Sequence, residues 1–296
     1  MVGTGNFQEL DLVQAFSTVA AFNHRVQRSS RHSELMLLAL QHAILKRDVP
    51  HLTCSNEMQS LRGEPKEKAQ PPKGRITPMT IAPPEETFSQ AVDLLNKAQR
   101  PAIIVGHGAR FHMDKVIALA EKLRCPVMTT FKGKGQIPDD HPLGCGVLGR
   151  SGTPIASWFM NEADLLLVVG ASFSNHTGIT SKKPTIQIDF DPLALSKFHK
   201  VDVAVWGEIS VTVDMLRNHI NHYENKFDHA GQVAERWRIW KAEKQKRLGE
   251  ERGEGISSIA VFDALNHLAP GNAVMCVDVV MPIPSAGTLN PKSMAF

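Results

Sequence analysis

The sequence predicts an α/β protein with a doubly wound parallel sheet, flanked by incomplete α/β domain pieces. One observation is the apolar run Pro101–Val105, followed by a Gly-His-Gly turn and an amphipathic segment that begins at Met113. Another is the continuous apolar run at residues 164–169, typical of a strand buried on both faces. The third is the alternation of short strands with helices between residues 85 and 222, which indicates a parallel sheet.

The opening strand, glycine turn and helix are typical of a Rossmann-like nucleotide-binding unit. Glycines let the backbone approach a phosphate, and the N-terminus of the following helix supplies amide donors. Gly106 and Gly108 satisfy part of this pattern, but Phe111 occupies the position of the third glycine. A tight strand-to-helix turn without a ligand explains the two glycines equally well.

Five segments follow from the composition and periodicity of the chain. Residues 1–56 read as helix, helix and strand, with a second helix at 33–46 capped by Ser33, and resemble the end of a domain. A proline-punctuated linker spans 57–84, and the one complete module spans 85–222. A charged linker helix is expected at 223–255. A truncated domain start occupies 256–296, with a helix at 259–268 and a strand at 273–279.

Within the complete module, five strands are predicted, at residues 101–105, 126–131, 164–169, 185–189 and 201–205. Helices are expected at 85–97, 113–123, 153–160 and 211–219. The glycine-dense segment at 144–152 is predicted as a loop on which an extended ligand lies against backbone. Simple loop flexibility is the alternative for that segment.

The composition excludes several classes of protein. A net charge of +3 is too small to indicate binding to nucleic acid or to an anionic membrane. We find no transmembrane run and no signal peptide. The four cysteines are widely spaced and fit reduced thiols of a cytoplasmic protein, and the 13 histidines show no metal-binding spacing.

The candidate ligand residues follow the predicted strands, because open parallel sheets bind ligands at the carboxyl ends of their strands. Arg110 and Lys132 are candidates for phosphate contacts, and Asp189 or Asp191 for a ribose hydroxyl. A helix N-cap is the alternative for Asp191. A solvated loop is the alternative for Lys132 and Lys134. We see no nucleophile–base pair and assign no catalytic residue or metal ligand.

An ordered set of motifs resembles the central domain of thiamine-diphosphate-dependent enzymes of the pyruvate oxidase and acetolactate synthase group. The motifs are Phe-Lys-Gly-Lys-Gly at 131–135, His-Pro-Leu-Gly at 141–144, Gly-Val-Leu-Gly at 146–149, Glu-Ala-Asp-Leu-Leu-Leu-Val-Val-Gly at 162–170 and Ile-Gln-Ile-Asp-Phe-Asp-Pro at 186–192. Gly-Asn-Phe-Gln-Glu at 5–9 resembles the pyrimidine-binding domain of the group. Phe-Asp-Ala-Leu-Asn at 262–266 resembles the start of the pyrophosphate-binding domain.

The resemblance implies a fragment of a flavoprotein-like parent enzyme, comprising the end of the first domain, the whole second domain and the start of the third. The parent would use thiamine diphosphate and Mg²⁺, act on pyruvate or a similar 2-oxo acid, and form a homo-oligomer. The glutamate that activates the cofactor and the Gly-Asp-Gly motif that holds Mg²⁺ are not found in these 296 residues. The chain alone is therefore expected to be inactive.

The resemblance also implies FAD in the central domain, although several relatives keep this domain without a flavin. By position, the expected FAD contacts are Gly106, Gly108, Arg110, Thr130, Gly146, Gly170, Ser172, Asp189 and Asp191. Ser172 stands where acetolactate synthases place an arginine. Phe7 and Gln8 are expected near the substrate. The alternative function is a non-catalytic module that binds FAD or another nucleotide, or a purely structural one.

Overall fold

The computed structural model describes residues 5, 7, 9–62, 73–221, 227–250, 255–270 and 273. The chain divides into two compact units, residues 1–79 and residues 80–296. None of the helices in the described part of the chain has both the length and the apolar character needed to cross a bilayer. Residues 274–279 of the strand predicted at 273–279 and the candidate Gln8 lie outside the described residues.

The first unit contains two parallel strands and several short helices. The elements are α1 (Leu12–Ala15), β1 (Phe22–Val26), α2 (His32–Gln41) with a π-helical turn at His42–Lys46, β2 (Pro50–Cys54) and α3 (Asn56–Gln59). β1 pairs with β2 in parallel, and Ala39 is the one residue of this unit that is fully buried in the described part of the chain. A sheet of two strands cannot enclose a core of its own.

Two sequence predictions for this unit are wrong. β1 was missed because Asn23, His24 and Arg25 interrupt its apolar ends and leave no alternating pattern. Ser33 does not cap α2, because the helix already begins at His32 and Arg31 occupies the cap position without a side-chain hydrogen bond. By contrast, Asp11 caps α1 through its side-chain oxygen, as a residue near the start of that helix should.

The second unit is an α/β sandwich with one six-stranded sheet. Its strands are β3 (Pro101–Val105), β4 (Val127–Thr129), β5 (Gly144–Val147), β6 (Leu165–Val169), β7 (Thr185–Asp189) and β8 (Val203–Trp206). Its helices are α4 (Glu85–Lys97), α5 (Met113–Leu123), α6 (Pro154–Glu162), α7 (Ile209–His219), α8 (His229–Leu248) and α9 (Ser258–Leu268).

The strand order is β5-β4-β3-β6-β7-β8, and every neighbouring pair is parallel. The chain winds outward from β3 to β5, returns to the other side of β3, and winds outward again to β8. This is the doubly wound order of a Rossmann-like sheet, so the predicted fold class is confirmed. The topological switch point lies between β3 and β6.

Both faces of the sheet are covered, as the continuous apolar strands predict. Side chains such as Ile103 and Leu167 pack with α4, α5 and α7 on one face. Neighbouring side chains such as Ile104 and Leu166 pack with α6 and α8 on the other. Because successive side chains of a strand point to opposite faces, both kinds of position must be apolar.

Two segments of this unit differ from the sequence prediction. The glycine-dense segment at 144–152 contains an edge strand, β5, whose four residues Gly-Cys-Gly-Val are all buried, but whose two glycines weaken the strand propensity. The charged helix α8 is one amphipathic element of the core layer, because Val233 and Trp237 are buried against the sheet side of α6.

Candidate functional site

The carboxyl ends of four strands lie next to one another and carry most of the predicted ligand residues. The Thr130 amide donates to the Val105 carbonyl (2.8 Å) and the Gly106 amide to the Val169 carbonyl (2.9 Å). The Gly170 amide donates to the Ile188 carbonyl (2.9 Å). These bonds bring the residues that follow β4, β3, β6 and β7 onto one edge, where open parallel sheets bind ligands.

At the switch point, the turns after β3 and β6 press directly against each other. The Gly108 amide donates to the Gly170 carbonyl at 2.9 Å. A Cβ added to Gly106 would lie 2.2 Å from that carbonyl oxygen, and one added to Gly108 would lie 2.9 Å from the Gly170 Cα. Gly170 itself has φ +59°, a left-handed conformation that favours glycine. Close packing of two turns thus accounts for all three glycines.

Arg110 lies at the start of the connection from β3 to α5 and is partly exposed. Its guanidinium donates to the His107 carbonyl at 3.1 Å and lies 4.4 Å from the centre of the Phe111 ring. These contacts hold the positively charged guanidinium group of Arg110 beside the turn after β3. Phe111, which replaces the third glycine of the fingerprint, is itself 68% exposed.

Asp189, the last residue of β7, and Asp191 organise the loop that follows this strand. Asp189 accepts a hydrogen bond from the Asp191 amide, and Asp191 accepts one from the Leu193 amide, each at 2.9 Å. Asp191 therefore caps a turn, and the helix expected after it is not formed. The buried amide of Gln187 joins this loop to the turn after β6, because it donates to the carbonyls of Ala171 and Ala194.

The other predicted residues are not all at this edge. Ser172 is exposed in the turn after β6, as a ligand residue would be. Gly146 is buried within β5, where an added Cβ would lie 2.7 Å from Thr153 Cγ2. The glycine-dense segment is therefore closed by protein packing at this position. Phe7 belongs to the first unit and is 94% exposed.

The lysines of the loop after β4 have different environments. Lys132 is exposed, in agreement with a solvated loop. For Lys134 that alternative is wrong, since only 5% of its side chain is exposed and its ammonium group pairs with Asp139. Sequence alone does not predict that Lys132 is exposed and Lys134 is buried, because the two lysines lie in the same Gly-rich motif with a single residue between them.

Two polar residues at the same edge were missed by the sequence reasoning. Gln136 donates from Nε2 to the Gly106 carbonyl at 3.1 Å, and its Oε1 atom is buried without a hydrogen-bond partner in the described structure. The Thr129 hydroxyl at the end of β4 is also buried and unpartnered. Only the position of Gln136 after the Gly-Lys-Gly motif could have indicated it. In the described part of the chain, no cluster of three or more His, Cys, Asp or Glu residues is arranged to hold a metal ion.

Residues 88–216, which span most of this sheet, match the family described as "Thiamine pyrophosphate enzyme, central domain". Over these residues the chain is similar to the central domain of thiamine pyrophosphate enzymes. Similarity to proteins of this group extends beyond that domain, as the following relatives show, and it confirms the predicted resemblance to the acetolactate synthase group.

Three relatives illustrate how far the similarity extends. A putative thiamine pyrophosphate-containing protein of Bacillus subtilis is 29% identical over 94% of this chain and 48% of its own length. Acetolactate synthase isozyme 2 large subunit of Escherichia coli is 27% identical over 94% of this chain and 50% of its own. A probable acetolactate synthase large subunit of Methanococcus aeolicus is 29% identical over 76% and 39%. The chain thus spans about half the length, or less, of these curated relatives.

Proposed function

We propose that this chain is part of a thiamine-diphosphate-dependent enzyme that acts on pyruvate or a similar 2-oxo acid. The observation that carries the proposal is the similarity along 94% of the chain to thiamine-dependent proteins, which runs through the thiamine-enzyme central domain. The names of the relatives favour the acetolactate synthase type, and they do not favour a non-catalytic module. Thiamine diphosphate, when bound, supplies stabilisation of the carbanion left by decarboxylation.

We further propose that the central domain holds FAD at the carboxyl edge of its sheet. The fit rests on two unpartnered buried polar groups at that edge, Gln136 Oε1 and the Thr129 hydroxyl, since buried polar atoms normally have partners. A ligand with O–H or N–H donors, such as the ribityl chain or the adenine of FAD, would satisfy Gln136. FAD, when bound, supplies two-electron redox chemistry.

Residues at the carboxyl edge would bind different parts of FAD, according to their charge and position. Arg110 supplies a positive charge beside the turn after β3, where a diphosphate would lie. Asp189 is the last residue of β7, and an acid at such a strand end commonly holds ribose hydroxyls. Thr130 and Ser172 supply hydroxyls at the ends of β4 and β6. We propose Phe7 and Gln8 as substrate neighbours in the complete enzyme.

FAD titration into the full chain, followed by flavin fluorescence, tests the cofactor proposal. We expect saturable quenching, and we expect Arg110→Ala to weaken binding by about ten- to a hundred-fold, because a charge-assisted hydrogen bond is lost. Arg238→Ala is the matched control, since this exposed arginine of α8 pairs only with Glu235 among its described contacts. Absence of saturation in the wild type, or equal affinity of Arg110→Ala, would contradict the FAD site.

The proposed activity predicts that the purified chain alone does not turn over pyruvate. Neither the cofactor-activating glutamate nor the Gly-Asp-Gly motif of the family occurs in its sequence. Carbon dioxide release is measured with thiamine diphosphate, Mg²⁺, pyruvate and an artificial electron acceptor. Release above the level of a heat-inactivated sample would contradict the assignment of the catalytic groups to other parts of a parent enzyme.

A further inference from the structure

A second group of polar residues lies on α8 and in the loop after β4. The loop contributes Lys134 and Asp139, whose side chains form an ion pair and are only 5% and 17% exposed. α8 contributes Lys244, whose ammonium group interacts electrostatically with both. Burial acts to raise the pKa of Asp139, and the nearby Lys134 and Lys244 oppose this effect.

Two hydrogen-bond donors on α8 have no partner among the residues that the structure describes. Lys244 Nζ is buried and makes no hydrogen bond to any described residue, and the same is true of Trp240 Nε1. The two residues are neighbours, because the Lys244 Nζ atom lies 5.0 Å from the centre of the Trp240 ring. An unpartnered buried donor normally costs about 1–3 kcal/mol, and a charged one costs more. A pair of them in one place indicates a missing acceptor.

The charge balance of the cluster gives the sign of that acceptor. Lys134 and Lys244 interact with the Asp139 carboxylate, which is already paired with Lys134, and the exposed Asp140 adds a negative charge beside Asp139. On the same helix Lys241 adds positive charge, while Glu243 is engaged by Arg247 at 2.9 Å. The Trp240 ring offers Lys244 a cation–π contact, but an aromatic face does not accept the hydrogen bonds of a whole ammonium group.

We propose that Lys244 Nζ and Trp240 Nε1 bind a small oxyanion, the carboxylate or phosphate group of a ligand. Both groups are donors only, and an oxygen pair of a carboxylate or phosphate would accept from both at once. Burial lowers the pKa of Lys244 to about 8, with Asp139 opposing and Lys134 and Lys241 reinforcing the shift. The amine therefore remains mostly protonated at neutral pH. No residue of this site belongs to the proposed FAD site.

Thermal unfolding of the full chain in the presence of anions tests this site. Sodium acetate and sodium phosphate are titrated separately against sodium chloride at equal ionic strength. We expect the unfolding midpoint to rise and to saturate with one or both oxyanions but not with chloride. The anion that saturates at lower concentration identifies the ligand group as carboxylate or phosphate.

Substitutions on α8 distinguish a specific site from a general salt effect. Lys244→Met should bind the oxyanion about ten- to a hundred-fold more weakly. It should also unfold at a higher temperature than the wild type in chloride alone, because it removes an unpaired buried charge and keeps the apolar stem. Lys246→Met, which removes an exposed charge from the same helix, should respond like the wild type.

The proposal is overturned if the wild type shows no saturable response to either oxyanion. It is equally overturned if Lys244→Met responds with the affinity of the wild type. Trp240→Phe, which keeps an aromatic ring but removes the indole N–H, should weaken the response, and an unchanged response would exclude Nε1 as a donor to the anion and overturn the two-donor site.

Discussion

At the scale of single residues, Glu208 shows how one side chain can join two helices. Its carboxylate caps α7 by accepting from the Val211 amide at 3.0 Å, and it lies 3.0 Å from His112 Nε2 at the start of α5. Burial acts to raise the pKa of Glu208, but hydrogen bonds from Ser210 and Val211, together with His112, outweigh it and lower the pKa.

We therefore predict that Glu208→Ala lowers the free energy of unfolding by about 1 kcal/mol at neutral pH, the usual cost of a lost helix cap. Because the pKa is lowered in the folded state, this stabilisation is present above the ordinary glutamate pKa of about 4.3 and is lost as pH falls below it. Urea unfolding at neutral and acidic pH measures the difference. Glu86→Ala, at an exposed position, should show no such pH dependence.

The glycines at the switch point give a second prediction at this scale. Gly106→Ala should destabilise the ligand-free chain by about 1–3 kcal/mol, because its methyl group would overlap the Gly170 carbonyl and force the two turns apart. Gly249→Ala is the control, since the nearest atom to its added Cβ is 3.7 Å away. Equal stabilities of the two variants in thermal unfolding would show that the turns can separate freely.

Candidate residues could be predicted from sequence where backbone alone determines their position. Gly106, Gly170 and Asp189 follow strands that the apolar runs define, so a parallel sheet brings them to one edge. Gln136 was not predictable, because its role depends on the distance of its amide to the Gly106 carbonyl across a loop. Burial of Lys134 likewise depends on Asp139 and on α8, which are separate in sequence.

At the scale of elements, α8 covers the open edge of the sheet at β5. Trp237 is buried and donates from Nε1 to the Gly144 carbonyl at 2.7 Å, which satisfies an edge-strand acceptor. Trp237→Phe should therefore cost about 1–3 kcal/mol of unfolding free energy, since that carbonyl loses its partner in a buried place. Chemical denaturation measures this loss.

Trp206→Phe is the matched control for this prediction. Trp206 Nε1 also donates to a backbone carbonyl, that of Phe190 at 2.9 Å, but the side chain is 45% exposed and water can replace the bond. We expect its effect to be about 0.5 kcal/mol or less. If both substitutions cost the same, α8 does not protect the edge of β5.

The elements missed from sequence share a physical cause. β5 is made of two glycines, a cysteine and a valine, and its strand conformation is imposed by pairing with β4 and by coverage from α6 and α8. β1 likewise acquires its conformation from pairing with β2. Strands with strong propensity, such as β6, were predicted within one residue because burial on both faces leaves a continuous apolar run.

At the scale of the whole molecule, the first unit exposes an apolar stripe along α2. Met36, Leu40 and Ile44 are spaced at four-residue intervals and are 52%, 48% and 44% exposed. Apolar stripes of this kind promote association. We predict that the purified chain forms oligomers, and that replacing all three residues by glutamine shifts it toward monomer.

Light scattering across a concentration series measures this shift. Replacing three residues of similar exposure elsewhere, Ile239, Val261 and Phe198, by glutamine provides the control. A wild-type chain that stays monomeric at high concentration would show that the apolar stripe does not promote association.

The strand order also determines which strands of the sheet can pair first during synthesis. β3, β4 and β5 precede β6 in sequence and can pair before it is made, but the second edge of β3 pairs with β6. Until residue 169 has left the ribosome, the fully buried strand β3 therefore has an unpaired edge. A strand from the middle of the finished sheet thus has an edge open to wrong pairing while the chain is growing.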